Sequence, residues 1–206
     1  MTVSPPGFGA ILLNRPVAAV LGAVLLVIGT ALQLDGPAQR WAAAWHCPGM
    51  DMVVGWLNPI GSGVTLLIVC LALALLGWAC ARSRICEAGC VGALTFIVAG
   101  LVEYALKYLV GRPRPAAAGP LFGLELDSFP SGHATSVFAV ATVLGAVYPR
   151  LRWPLYTLAA AIALGRVYLA RHYLSDIVAG ALIGLVIASL LLRHRSLTPP
   201  VAVQPS

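Results

Sequence analysis

The sequence predicts an all-α fold: a polytopic membrane protein whose six-helix bundle forms a single domain over residues 1–206, with a short interfacial helix between the first two spans. Three observations carry this expectation. Hydrophobic residues make up 60% of the 206-residue chain and charged residues only 10%, whereas a soluble domain needs about a quarter of its residues charged. Mean hydropathy is +0.91, so lipid rather than water must cover most of the chain. The apolar residues also gather into six runs near the length of about 20 residues that spans a bilayer, which leaves short loops and no separate soluble domain.

The first run is 17–34, opened by Arg15-Pro16 and closed by Asp35-Gly36-Pro37. Residues Ala38 to Trp56 place Trp41 and Trp45 one helical turn apart, with Arg40, His46 and Asp51 among apolar neighbours. That pattern predicts a helix lying in the interface, where tryptophan is enriched. After Asn58-Pro59 and Gly61-Ser62-Gly63 comes the run 64–81, stopped by Arg82 and Arg84. The run 88–110 ends at Gly111 and two X-Pro dipeptides, and a loop of small and polar residues extends from Pro115 to Pro130. The runs 134–148, 153–170 and 174–192 follow, and Arg193, His194, Arg195 and a Pro-rich tail close the chain. No internal repeat is evident.

Charge sets the expected orientation. One side of the six runs collects Arg15, Arg82, Arg84, Arg150, Arg152, Arg193 and Arg195, with Glu87 as its only acid. The other holds Asp35, Asp51, Glu125, Asp127 and Asp176 with Arg40, Arg112, Arg114 and Arg171. The basic, acid-poor side is expected in the cytosol, with both termini. The net charge of +6 is therefore read as this bias plus an anion site. No basic run or aromatic-basic interleaving points to nucleic acid. Five cysteines form no framework, and Cys86-x3-Cys90 lacks the second ligand pair of a zinc site. Met1 to Asn14 lacks a basic stretch before its apolar residues, so no cleaved signal is expected.

Ionisable residues at membrane depth are costly and demand an explanation. Lys107 lies one turn from the outer end of its run, with Glu103 four residues earlier on the same face. Taken alone it reads best as a snorkelling lysine, with an ion pair to Glu103 as a further reading. Arg112 and Arg114 follow in Gly111-Arg-Pro-Arg-Pro115, and a guanidinium fork matches phosphate oxygens as well as headgroups. Pro130-Ser131-Gly132-His133 opens the fourth run. Ser131 is a natural cap, Gly132 lets a ligand approach the backbone, and a helix N-terminus attracts anions. His133 beside it is a candidate proton donor, although an ordinary capped helix reads equally well. Arg166-x5-His172-x3-Asp176 crosses the junction of the last two runs. A helix starting near His172 would put Asp176 on the same face, able to hold one ring nitrogen and free the other for attack; a cap pair at a helical hairpin is the plainer alternative.

These three sets fall at one outer membrane face, which scattered snorkelling residues would not do. A positive pocket beside His-Asp fits phosphoryl transfer. The residues resemble the type 2 phosphatidic acid phosphatase superfamily of membrane lipid phosphatases. Its signature, Lys-x6-Arg-Pro, Pro-Ser-Gly-His and Ser-Arg-x5-His-x3-Asp, is met by Lys107 to Arg114-Pro115, Pro130 to His133, and Arg166 to His172 to Asp176. The match covers about a third of the chain and departs from the signature at Gly165, where the family usually has serine.

The resemblance implies a metal-independent phosphatase without cofactor. In it His172 attacks phosphorus, Asp176 orients His172, and His133 protonates the leaving oxygen before activating water. Lys107, Arg114, Ser131, Gly132 and Arg166 would hold the phosphoryl oxygens; Arg112, Arg171 and Glu103 would support them. The expected partners are the bilayer and a membrane lipid phosphate, with no nucleic acid and no oligomeric state assigned. The expected place is a bacterial inner (cytoplasmic) membrane, with the site on its extracytoplasmic side. A polyprenyl diphosphate such as undecaprenyl diphosphate is favoured, because Arg112 and Arg171 add positive charge. Phosphatidylglycerophosphate, phosphatidic acid and lipid-to-lipid phosphotransfer compete with it. A transporter of anions or lipids is disfavoured by charges at one end and the lack of repeated halves; vanadate haloperoxidases, by hydropathy.

Overall fold

Backbone amides find no water inside a bilayer, so an apolar run satisfies them by coiling. The computed structural model describes residues 15–115 and 127–197, and the described residues hold seven α-helices: α1 (Arg15–Ala44), α2 (Pro48–Ile60), α3 (Gly63–Ala79), α4 (Ser83–Val110), α5 (Gly132–Val147), α6 (Arg152–Tyr168) and α7 (Leu174–Leu197). A 3₁₀ turn, Pro149–Leu151, leads into α6. The five runs from 64–81 onward correspond to α3 through α7. The readings placed on Met1 to Asn14, on most of the Pro115–Pro130 loop including Glu125, and on the Pro-rich tail fall outside the described residues.

Two expectations change at the N-terminal side. Asp35-Gly36-Pro37 does not end the first helix; α1 continues through Pro37 to Ala44. Proline removes one backbone hydrogen bond, but Asp35 ties this stretch to the bundle, its carboxylate accepting from the Ser175 backbone N–H at 2.8 Å and the Ser175 hydroxyl at 2.6 Å. The expected interfacial segment Ala38–Trp56 is accordingly divided. Its first part finishes α1, with Trp41 and Trp45 exposed, and its second part lies in α2. Helices α2 and α3 meet at an angle of 51°, where Ser62 caps α3 by accepting the Thr65 N–H at 3.2 Å.

Helix α5 is the centre of the bundle. Most of its residues are buried against α4, α6 and α7. Its small side chains let the neighbours close in, as bilayer helices require when packing rather than hydrophobicity drives association. A Cβ at Gly180 of α7 would lie 2.6 Å from the Ser131 carbonyl oxygen, and one at Gly184, 2.4 Å from that of Thr135. Both positions need glycine because α5 passes at backbone distance. Large apolar side chains such as Leu75, Trp78, Leu109 and Leu190 are exposed on the outside. By length and composition Ser83–Val110 and Leu174–His194 can each cross a membrane, and the bent pair α2–α3 makes a third candidate span.

Candidate active site

Three chain breaks at one end of the bundle build the site. Helix α4 stops at Gly111, whose left-handed φ of 57° turns the chain out while its N–H still reaches the Lys107 carbonyl at 2.9 Å. Lys107 therefore stands in the last turn of α4, and its ammonium lies 2.9 Å from the Glu103 carboxylate. Beyond the turn, Arg114 makes a two-pronged pair with Asp127, at 2.6 and 2.8 Å. Burial alone would raise the Asp127 pKa; the hydrogen bonds and charge of Arg114 outweigh it and hold the carboxyl below its ordinary range.

The second break is the entry to α5. Ser131 sits at the cap position, yet its hydroxyl makes no capping bond, contrary to expectation. The Ser131 carbonyl instead accepts from the Thr135 N–H at 2.9 Å, and its N–H donates to the Asp176 carbonyl at 3.1 Å. The head of α5 is thus fastened to α7 through backbone, and the Ser131 hydroxyl is left over. His133, the second residue of α5, has a hydrogen bond with the Asn58 backbone.

The third break follows α6. Ala170 takes a left-handed φ of 50°, and the Arg171 N–H returns to the Arg166 carbonyl at 3.0 Å, a six-to-one closure typical of helix ends. This turn brings His172 back beside Arg166. His172 precedes α7, which begins at Leu174, so the expected direct His-Asp bond gives way to another arrangement. Nδ1 of His172 lies 2.7 Å from the Ser128 carbonyl oxygen and 3.7 Å from Asp176 Oδ2. A carbonyl only accepts, so Nδ1 carries the proton and Nε2 presents its lone pair. Asp176 acts one step back: it accepts from the Ser128 hydroxyl at 2.6 Å and the Tyr173 N–H at 2.8 Å. Burial, with the guanidiniums of Arg166 and Arg114 adding to it, holds the His172 pKa below its ordinary value despite the Asp176 carboxylate. A neutral imidazole results.

Glu103, Lys107, Arg114, Gly132, His133, Arg166 and His172 line one cavity of about 280 Å³. Among the described residues only four buried side-chain polar atoms lack a partner; His133 Nε2 and Arg166 Nε belong to this lining, and Ser131 Oγ belongs to the residue before Gly132. Among the described residues no group of three or more His, Cys, Asp or Glu is arranged to hold a metal ion.

The model of the PAP2 superfamily matches residues 88–197, more than half of the chain. The chain belongs to that superfamily. It is 36% identical over 173 residues to the decaprenylphosphoryl-5-phosphoribose phosphatase of Mycobacterium tuberculosis, covering 82% of this chain and 86% of that protein. It is 28% identical to the undecaprenyl-diphosphatase BcrC of Bacillus subtilis, covering 66% and 71% of the two chains. The chain spans only 41% and 43% of the length of two other curated relatives that it matches. The crystal structure of a PAP2-type phosphatidylglycerolphosphate phosphatase from Bacillus subtilis superposes with a TM-score of 0.71 over 90% of this chain and 98% of that one, at 22% identity, a likeness of fold.

Within this PAP2 member the remaining expected residues lie behind or beside the cavity. Arg112 faces away from it, donating to Asp176 at 2.7 Å, Ser175 at 2.6 Å and Asp35 at 2.8 Å, and stacking 4.0 Å over the Tyr173 ring. Two carboxylates balance its charge away from the cavity, so it adds no charge there for a diphosphate, which corrects that argument. Arg171 is half-buried outside the cavity lining and lends its carbonyl to Arg114 at 3.3 Å. Gly165 faces α2 rather than the cavity; a Cβ there would press on Val54 at 3.2 Å, so the missing serine lets α2 close on α6.

Four participants escaped the sequence reading. Asn58 accepts from Arg166, and Asp35, Asp127 and Ser128 position Arg112, Arg114 and His172. Asn58 appeared only as a helix breaker and Asp127 only in the charge count. A signal existed for Asp35, an acid inside what proves to be one continuous helix.

Proposed function

We propose that this chain is an integral membrane lipid phosphatase, one domain over residues 1–206, that removes a terminal phosphate from a polyprenyl-anchored lipid through a phosphohistidine intermediate. One observation carries the reading: His133 Nε2 and Arg166 Nε are buried and unpartnered in the lining of a cavity that also presents Lys107, Arg114 and neutral His172, and Ser131, next to the lining residue Gly132, has an unpartnered Oγ as well. Buried polar atoms are rarely left unpaired, so the cavity is shaped for a polar ligand, and its cations select an anion.

In this reading Nε2 of His172 attacks phosphorus as the bond to the leaving oxygen breaks, and protonated His133 gives that oxygen its proton. Neutral His133 then takes a proton from water, whose oxygen attacks the phosphohistidine. Orthophosphate leaves and His172 is restored. Lys107, Arg114, Ser131, the Gly132 amide and Arg166 neutralise the phosphoryl oxygens, and the Ser128–Asp176 relay keeps the His172 tautomer. No metal has a step here.

Six spans with an interfacial helix, cytosolic termini and a site on the extracytoplasmic side of a bacterial inner membrane complete the proposal. Alternating charge supports the orientation, and similarity to bacterial phosphatases supports the compartment. A polyprenyl anchor is named in both relatives compared above. With Arg112 paired to Asp35 and Asp176, and Arg171 outside the cavity lining, charge no longer favours a diphosphate over a monoester. Undecaprenyl diphosphate is kept as the first substrate, and a phosphorylated sugar on a polyprenyl phosphate is the second reading, favoured by the relative matched over 82% of this chain.

The test is phosphate release by the purified protein, in detergent with EDTA, from undecaprenyl diphosphate, a decaprenylphosphoryl pentose phosphate, phosphatidylglycerophosphate and phosphatidic acid. Either prenyl substrate should give the highest specificity constant, and vanadate should inhibit. A tenfold preference for a glycerolipid overturns the prenyl assignment; no release from any of the four overturns the phosphatase. A cysteine at Gly119 should label from outside intact cells, and labelling only from the cytosol reverses the orientation.

A further inference from the structure

Among the described residues one acid lines the cation-rich cavity: Glu103. Its Oε1 sits 2.9 Å from the Lys107 ammonium, and both side chains are largely buried. The same oxygen would lie 2.9 Å from a Cβ built on Gly132. The carboxylate is thus packed against the bare α-carbon that opens α5, where an anion would approach that helix most closely, and it occupies the ammonium that faces the cavity. The other two cations differ from Lys107 in this respect. Arg114 is balanced by Asp127, which is absent from the lining, and Arg166 donates to neutral Asn58. A phosphate entering the cavity therefore meets an anion of the protein's own. Two anions a few ångströms apart in a site of low dielectric repel strongly, and one ammonium does not serve both equally.

We propose that Glu103 is a built-in competitor for phosphate. It holds Lys107 and the Gly132 face of the empty cavity and gives way as phosphoryl oxygens arrive. The inference rests on the phosphatase reading and deepens it, by assigning a residue that sets how tightly the site holds its anion. Affinity shared equally by substrate and transition state accelerates nothing once the site is full, and tight orthophosphate binding slows turnover. A carboxylate that weakens both keeps the site clear of product.

The experiment compares the full-length wild type, Glu103→Gln and Glu103→Ala in detergent. Orthophosphate and orthovanadate serve as inhibitors of phosphate release from the lipid phosphate that the wild type turns over best. Both variants should bind the two inhibitors about tenfold more tightly, with KM lowered and kcat not raised. Inhibition constants that stay the same or rise in variants of unchanged Tm overturn the proposal, and would mean that Glu103 serves to aim Lys107. Should neither variant fold, a structure of the vanadate-bound wild type decides. A Glu103 carboxylate more than about 4 Å from the Lys107 ammonium, the ion-pair limit, supports competition, and an unbroken pair overturns it. A wild type that neither releases lipid phosphate nor binds vanadate instead overturns the phosphatase reading itself.

Discussion

Arg112 and Arg114 are separated by one proline, yet they serve opposite sides of the site. Arg112 is surrounded: two carboxylates, a serine hydroxyl and a tyrosine face take up its donors and its charge. Arg114 is matched by a single carboxylate and still lines the cavity. The first joins α1 to the start of α7 and stiffens the wall behind His172; the second presents charge to the space in front of it. A charge-rich motif is thus divided between scaffold and site by which acids are within reach. The count of arginines does not reveal that division.

The largest expected effects lie in front of the wall. His172→Ala should abolish phosphoryl transfer with little change in Tm, because it removes the nucleophile and leaves the helix contacts in place. His133→Ala should retain a measurable rate, about 10²–10⁴-fold down, the usual span for a general acid–base group. Single-turnover assays with radiolabelled substrate separate the two: His133→Ala should still form phosphoenzyme, more slowly than the wild type, and His172→Ala none. Phosphoenzyme in His172→Ala would assign the nucleophile elsewhere.

The arginine comparison itself breaks on double variants. Arg112→Met strands Asp35 and Asp176 and should cost about 3–5 kcal/mol of stability, as removing one partner of a buried pair does. Arg112→Met with Asp35→Leu should recover much of that loss and some activity. Arg114→Met should lower kcat/KM by about 10²–10³-fold, the scale for one lost charge-stabilising donor. Adding Asp127→Leu should restore stability but not rate. Recovery of activity in the Arg114 double variant would move Arg114 to the scaffold side.

How far these roles were legible in the sequence follows the same division. Lys107, Gly132, His133, Arg166 and His172 come to one cavity, as their spacing suggests, because each is held by a local device. Helix α4 ends at Gly111, α5 starts at Gly132, and the turn after α6 carries His172 back to Arg166; spacing along one chain suffices to read such devices. The roles of Asp35 and Asn58 were not legible. Each contact depends on how α1 and the α2–α3 corner dock, across 77 residues for Asp35 to Arg112 and 108 for Asn58 to Arg166. The end assigned to the first helix failed for the same reason, since a tertiary anchor at Asp35 overrides the stop that Gly36-Pro37 signals. Ser131 failed in the opposite sense, because its backbone is held by α7 and its hydroxyl need not cap.

A smaller effect concerns pH. The His172 pKa is lowered, chiefly by burial and then by Arg166 and Arg114. In free enzyme the acid limb of kcat/KM should therefore lie below the ordinary imidazole value of about 6.5. Removing a neighbouring cation relieves part of that shift, so in Arg114→Met the limb should move up towards 6.5. Stability has the same sign. A depressed folded-state pKa contributes fully above the unfolded value and is lost as pH falls through the folded one. A limb that stays in place in Arg114→Met would leave burial and Arg166 as the causes.

The smallest expected effect lies in the turn that carries His172. Ala170 adopts a left-handed φ of 50°, which costs a residue with a Cβ about 1–2 kcal/mol. Glycine relieves that strain but gives up about 0.5–1 kcal/mol of chain entropy, so Ala170→Gly should stabilise by about 0.5–1 kcal/mol and raise Tm by a few degrees. The Arg171-to-Arg166 closure is a backbone bond that either residue permits, so kcat and KM should not move. A gain in Tm at constant kinetics would show that His172 is placed by the turn itself. Unchanged Tm with impaired kinetics would show that the alanine methyl, and not the turn alone, holds His172 against Arg166, and that the scaffold side of the comparison extends into this turn.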